Sequence, residues 1–208
     1  MGLPTKDDLL PLLQRTDVIV LGPGIGQDEW AQELFDATIV ANKTIILDAD
    51  GLNLLAKNNL NNPSSSNDLG KIKKRDNWIL TPHPGEASRL LSISVDEVQK
   101  DRFAAIRQIQ TTYGGYTILK GTGSLILGKS KKITLCQYGN PGMASGGMGD
   151  VLSGVVAAFV AQGITLEQAA ILSTYIHSYA ADIAASKSGE RGLLASDLMP
   201  VIREIINQ

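Results

Sequence analysis

Between Gly139 and Gly154 the chain reads GNPGMASGGMGDVLSG, with six glycines, one proline, two serines and a single acid, Asp150. An apolar set at helical spacing follows at once: Val151, Leu152, Val155, Val156, Phe159 and Val160. A glycine-rich loop therefore opens straight into a buried helix. The first N–H groups of such a helix have no partner within it. With the aligned peptide dipoles they amount to roughly half a positive charge. Phosphate suits that place, because glycines let the backbone close on it. Asp150 stands at the helix mouth, placed to accept a proton from a substrate hydroxyl. The alternative is local: Asp150 caps the helix and the glycines make a turn.

Four other stretches carry chemistry-bearing residues. In Gly22-Pro23-Gly24-Ile25-Gly26 the glycines permit close backbone approach to a ligand, or simply a tight turn. Asp48 and Asp50, in DADG, could hold a hydrated Mg²⁺. The preferred reading is that Asp50 caps a short helix and Asp48 satisfies backbone donors, so no metal ligand is assigned. His83 is one of two histidines and sits between Pro82 and Pro84, which stiffen its turn; fixed there, it is a candidate to hydrogen-bond a substrate. Lys120-Gly121-Thr122-Gly123-Ser124 offers a lysine and glycines able to neutralise and wrap phosphate; otherwise it is a hairpin approach with a solvated lysine. The second histidine, His177, lies inside a helical run and reads as packing or surface. Two common nucleotide motifs are absent. Position 27 is Gln where the dinucleotide fingerprint needs Gly, and no Walker sequence occurs.

The elements that must position these residues follow a rhythm. Lys6 to Gln14 reads as a short amphipathic helix. The runs Asp17–Leu21, Thr44–Leu47, Trp78–Leu80 and Tyr116–Leu119 read as buried parallel strands. Each ends in one of the special loops. Helices are expected over Asp28–Ala37, through Leu52–Leu55, to about Leu91, and from a Ser94/Glu97 capping box to about Tyr113, where Gly114-Gly115 ends it. Ser124–Leu127 and Ile133–Gln137 form a hairpin. A helix from Thr165 to about Lys187, opened by a second capping box, and a last one capped by Ser196 complete the chain. Asn58 to Arg75, rich in Asn, Ser, Lys and Gly, reads as an exposed mobile loop whose basic cluster (Lys71, Lys73, Lys74, Arg75) is solvated. The pattern argues for an α/β fold with a mostly parallel central sheet. Right-handed connections then bring the strand-end loops to one edge of the sheet, where such sheets bind ligands.

The 208 residues suffice for one sizeable core. A net charge of −2 provides no global basic field for nucleic acid or an acidic membrane. A single cysteine, Cys136, excludes an intrachain disulfide and fits a reducing cytoplasm. No apolar run reaches the roughly 18 residues that a membrane span needs, and the N-terminus is neither a signal nor a transit peptide.

GMASGGMGDVLSG closely resembles the signature of the ADP-dependent NAD(P)H-hydrate dehydratases, a branch of the ribokinase-like superfamily. GPGIG, DADG, TPHPGE and KGTG occur in the family's order, and HSYAAD and LLASDLMPVI match as well. The resemblance implies a ribokinase-like three-layer fold. It implies a lyase that repairs hydrated NADH or NADPH, acting on the S epimer, with ADP as phosphoryl donor, Mg²⁺ assisting, and AMP and phosphate released. Asp150 would be the base, with Gly146, Gly147 and Gly149 as the anion hole. Lys120, Gly121, Thr122, Gly123, Ser124 and Gly149 would bind the AMP portion. Gly24, Gly26, His83 and Asp150 would lie against the substrate, and Glu86 would help shape the site. A homo-oligomer (a tetramer by family resemblance) and an epimerase domain or protein are the further partners it suggests. Family domains begin with an earlier strand and helix carrying a GGS-type stretch. This chain starts after that point, so residues 1–208 read as a single partial domain. The loss of that strand and helix from a doubly wound sheet is expected to expose an edge and an apolar face, with reduced stability or partner dependence. The competing readings are a ribokinase-like small-molecule kinase and an inactive nucleotide-binding fragment.

Overall fold

The computed structural model describes residues 5–61 and 74–208; for residues 6, 7, 60 and 61 the backbone alone is described. In chain order the elements are α1 (Lys6–Arg15), β1 (Val18–Leu21), α2 (Glu29–Val40), β2 (Thr44–Leu47), α3 (Ala49–Asn61), β3 (Arg75–Leu80), α4 (Pro84–Leu91), α5 (Val95–Lys100), α6 (Arg102–Tyr113), β4 (Gly114–Leu119), β5 (Ser124–Leu127), β6 (Thr134–Cys136), α7 (Met148–Ala161), α8 (Leu166–Ser188) and α9 (Ala195–Ile206).

The β-branched runs form one sheet in the order β1-β2-β3-β4-β5-β6. The first four strands pair in parallel, and β5 and β6 add antiparallel as the hairpin. Successive side chains take opposite faces. Ile45, Leu47, Trp78, Leu80, Leu119, Leu125 and Leu127 pack on the face covered by α2 through α6. Ile46, Ile79, Ile118 and Ile126 pack on the other face, against Leu152 and Val156 of α7 and Ala170 of α8. A third cluster joins α7, α8 and α9 through Met148, Ile176, Ala180, Leu198 and Val201. The result is three layers, helix–sheet–helix. Each fully buried Ile, Leu or Phe of these layers contributes about 1.5–3 kcal/mol.

The sheet departs from a doubly wound arrangement. Among the described residues strand order equals sequence order, so the crossover helices fall on one face and no order reversal opens a crevice. The second face is covered from downstream, by α7 and α8. The outer strand β1 pairs only with β2 among the described residues, and Val20 on it is 39% exposed.

Several boundaries differ from the sequence reading. The helix expected from Ser94 to Tyr113 is two helices. Asp101 leaves helical geometry at φ −146°, and its carboxylate accepts from Ala104 N to cap α6. Gly114 ends α6 as expected, its N–H donating to Gln110 O, but the same two glycines also begin β4; a Cβ on Gly115 would stand 2.3 Å from Trp78 Cδ1. The last helix begins at Ala195, with Asp197 accepting from Leu194 N, so Ser196 is not its cap. Thr165 caps α8 through Gln168 N, without the reciprocal half of a capping box. Of the Asn58–Arg75 stretch, α3 continues to Asn61 and residues 62–73, with Lys71 and Lys73, lie outside the described residues. Arg75 is not a solvated turn residue: its Nη1 donates to the Ile39 carbonyl at 2.6 Å, and its guanidinium lies 5.7 Å from the Trp78 ring centre.

Candidate active site

The parallel ladder continues past the strand ends and sets the loops in register. Asp48 N donates to Leu21 O, Thr81 N to Leu47 O and Lys120 N to Pro82 O. GPGIG, DADG, TPHPGE and KGTG thus arrive side by side at the C-terminal edge. Gly22 is required at the first of them, since a Cβ there would fall 1.7 Å from the Asp48 carbonyl oxygen.

Asp50 does not cap a helix. Its carboxylate accepts from Gly26 N at 3.1 Å and Gln27 Nε2 at 2.9 Å, tying the β1 loop to the start of α3. Asn53 extends this string, donating to Asp50 and accepting from Arg89 Nε of α4. Gly24 and Gly26 both take positive φ, and each has open space where a side chain would be.

Asp48 does more than satisfy backbone donors. It is buried, and while Oδ1 accepts from Ala49 N at 2.9 Å, it also accepts from Lys120 Nζ at 2.8 Å. Oδ2 accepts from Ser153 Oγ of α7 at 2.7 Å. One carboxylate thereby joins β2, β4 and α7. Burial alone would raise its pKa, but the Lys120 charge and the hydrogen bonds from Lys120, Ser153 and Thr81 hold it below the usual carboxylate range. Lys120 is accordingly no solvated lysine.

His83 caps α4 with its ring. Nδ1 accepts from Gly85 N at 3.0 Å and Glu86 N at 3.4 Å, while Glu86 Oε2 returns to His83 N at 2.8 Å. Glu86 Oε1 lies 3.4 Å from His83 Nε2, and its Oε2 lies 3.8 Å from Lys120 Nζ. Burial pushes the Glu86 carboxyl up, against the opposing pull of Lys120. Burial, with Lys120 and Arg89 nearby, pushes the His83 imidazole down, which suits a ring whose Nδ1 must stay an acceptor.

The glycine loop ends at Gly147, the N-cap of α7, in the left-handed region at φ 84°, and no side chain caps this helix. The first N–H groups of α7 thus lack a side-chain cap. Gly149 stands in its first turn, where a Cβ would come within 3.1 Å of Lys120 Nζ and 3.4 Å of Asp48 Oδ2. The lysine, the helix N-terminus and the buried carboxylate therefore meet at Gly149. A cavity of about 660 Å³, within the range of small-molecule sites, opens beside it. Lys120, Gly121, Thr122, Gly123, Ser124, His83 and Gly149 line its near wall; Gln137 to Pro141, Met143 to Ser145 and, from α8, Thr174, His177 and Ser178 line the far wall. Asp150 is exposed at the third helical position of α7; it, Gly146, Gly147, Gly24 and Gly26 are not in the wall of this cavity. Helix α7 packs over β1 and β2 and α8 over β3 to β6.

Sequence reasoning missed several residues here. Arg102 of α6 holds the KGTG loop from below, donating to the carbonyls of Leu119, Lys120 and Thr122. Asp182 accepts from Gly139 N and Asn140 Nδ2, fastening the far wall. His177 is buried, as the packing alternative expected, but in the wall of the cavity. Its signal was present: Ser173, Thr174, His177 and Ser178 form a polar stripe at helical spacing on a helix otherwise rich in alanine.

Fold and site together define a three-layer α/β domain in which a glycine-loop helix N-terminus and a lysine border one cavity. The chain belongs to the NAD(P)H-hydrate dehydratase family, whose model matches residues 1–204. It is 51% identical over 201 residues to a Coxiella burnetii bifunctional NAD(P)H-hydrate repair enzyme, covering 97% of this chain but 38% of that protein. It is 35% identical over 204 residues to an ADP-dependent (S)-NAD(P)H-hydrate dehydratase of Neisseria meningitidis, covering 97% of this chain and 67% of that one. Among solved structures, the ADP/ATP-dependent NAD(P)H-hydrate dehydratase of Bacillus subtilis, co-crystallised with ATP and Mg²⁺, superposes with a TM-score of 0.75 at 26% identity, over 92% of this chain and 64% of that one. A ribokinase-like superfamily protein of Enterococcus faecalis gives 0.78 at 25% identity, over 97% and 68%.

Proposed function

We propose that residues 1–208 act as one domain carrying out ADP-dependent dehydration of the S epimer of hydrated NADH or NADPH. The observation that carries this reading is the convergence of Lys120 Nζ, Asp48 and the uncapped α7 N-terminus at Gly149. ADP would occupy the cavity, its AMP portion along Lys120 to Ser124 and Gly149. The hydrated nicotinamide would approach from the Gly24, Gly26 and His83 side. Asp150 accepts the proton of the ring hydroxyl as that oxygen takes the terminal phosphoryl group of ADP and AMP leaves. The amides of Gly146, Gly147 and Gly149 stabilise the transferring charge. The C–O bond then breaks as phosphate departs, and the adjacent ring carbon loses a proton to solvent, which re-forms the ring double bond. Among the described residues no group of three or more acidic, His or Cys side chains is placed to hold a metal. Mg²⁺ fits such a site through the phosphates of the nucleotide, retaining several waters. The names of the relatives support the same reaction, and "bifunctional" in the Coxiella name supports an epimerase partner, fused or separate. A homo-oligomer and a cytoplasmic location complete the reading. No helix among the described residues is long and apolar enough to cross a membrane.

Incubation with hydrated NADH and ADP tests it. NADH, AMP and free phosphate are expected; phosphate retained on the substrate would make the protein a kinase instead. Asp150→Asn is expected to lower kcat by ~10² or more, and activity within tenfold of wild type would remove Asp150 as the base.

A further inference from the structure

Most polar groups in the cavity wall have protein partners. Asn140 is held by Asp182, and Thr174 Oγ1 donates to Ala170 O. His177 differs. It is 4% exposed and lines the cavity, yet its Nε2 has no hydrogen-bond partner. The other side of the ring faces the backbone carbonyl of Met148, at the start of α7. Burial, with Lys120 nearby, lowers its pKa to about 4, so the imidazole is neutral at physiological pH.

A neutral imidazole has one N–H and one lone pair. With the N–H on Nδ1, toward the Met148 carbonyl, the ring leaves Nε2 as a buried acceptor. A phosphate oxygen cannot satisfy it, because both would present lone pairs. A ligand hydroxyl or amino hydrogen can.

We propose that His177 is a nucleoside-recognition residue of this cavity, its Nε2 accepting a hydrogen bond from a ribose hydroxyl or the base amino group of the bound nucleotide. This rests on the reading of the cavity as the ADP site. The same ring then both reads the nucleoside and, through Met148, steadies the first turn of the helix that receives the phosphates.

Calorimetric titration of the wild-type chain and H177L with ADP, 2′-deoxy-ADP, 3′-deoxy-ADP and IDP tests the proposal. The wild type is expected to bind one analogue about tenfold more weakly than ADP, the worth of one hydrogen bond. A deoxy analogue identifies the ribose hydroxyl, and IDP identifies the amino group. H177L is expected to bind ADP about tenfold more weakly and to lose that discrimination, which a merely structural loss would leave in place. If the wild type binds ADP and H177L discriminates as the wild type does, the His177 role is overturned while the cavity assignment stands. If the wild type binds no ADP, both fall. Should H177L not fold, the imidazole ¹⁵N spectrum of the wild type decides. A shift of the His177 Nε2 resonance on ADP saturation supports the contact, and an unchanged resonance overturns it.

Discussion

Lys120 Nζ lies 2.8 Å from Asp48 Oδ1, across 72 positions of sequence, with Ser153 of α7 holding the other carboxylate oxygen. Removing one member of a buried pair strands the other. Asp48→Asn is therefore expected to cost about 2–3 kcal/mol in urea denaturation, the figure for a buried pair reduced because Lys120 is one-fifth exposed. Asp48→Asn should also weaken ADP binding, since Lys120 loses its anchor. Unchanged stability together with unchanged affinity would show the pair to be incidental.

Gly149 leaves the space into which Lys120 reaches. Gly149→Ala keeps an allowed helical backbone but crowds Nζ and the Asp48 carboxylate. The expected outcome is a folded protein with ADP-dependent activity reduced at least ~10-fold, because sub-ångström displacement of a positioned charge is costly. Circular dichroism with steady-state rates checks it.

His83 and His177 both have imidazoles pushed below the ordinary histidine range, by burial first. Their contribution to stability is present above about pH 6.5, the unfolded value, and is lost as pH falls through the folded values. For His177, whose folded value is about 4, the full loss is about 3 kcal/mol. Tm measured from pH 7.5 to 4 should fall, and H177L should flatten the slope between pH 6.5 and 4. An equal slope in H177L would refute the buried neutral imidazole.

Glu86 behaves in the opposite sense. Its carboxyl is raised by burial, so its ionisation costs stability as pH rises from about 4.5 through the folded value. Glu86→Gln should remove that decline in Tm-versus-pH curves, while losing the charge-assisted part of the cap on His83 N.

The strand cores were legible because period and composition agreed: Ile45, Ile46 and Leu47 alternate between two covered faces, and a glycine or polar residue follows each strand. Asp28, Ser94 and Thr165 announced their helices by cap chemistry. What pattern could not show was long-range pairing. Nothing local to Asp48 reveals Lys120, and nothing local to Asp50 reveals Gly26. Asp101 looked like one more polar position in a helix, because its capping geometry exists only where α6 turns to pack on β4. Arg75 looked solvated because its hydrogen-bond partner, the Ile39 carbonyl, lies 36 positions away in α2.

Because the six strands lie in the order in which they are made, each can dock on its predecessor as soon as it emerges during synthesis. Such nearest-neighbour growth closes short loops and avoids waiting for distant segments. The isoleucine-lined face, however, has no cover until α7 and α8 have been translated. A nascent chain stalled before Met148 carries a paired sheet with one greasy side bare, a surface for chaperones to hold until α7 itself arrives to close the molecule.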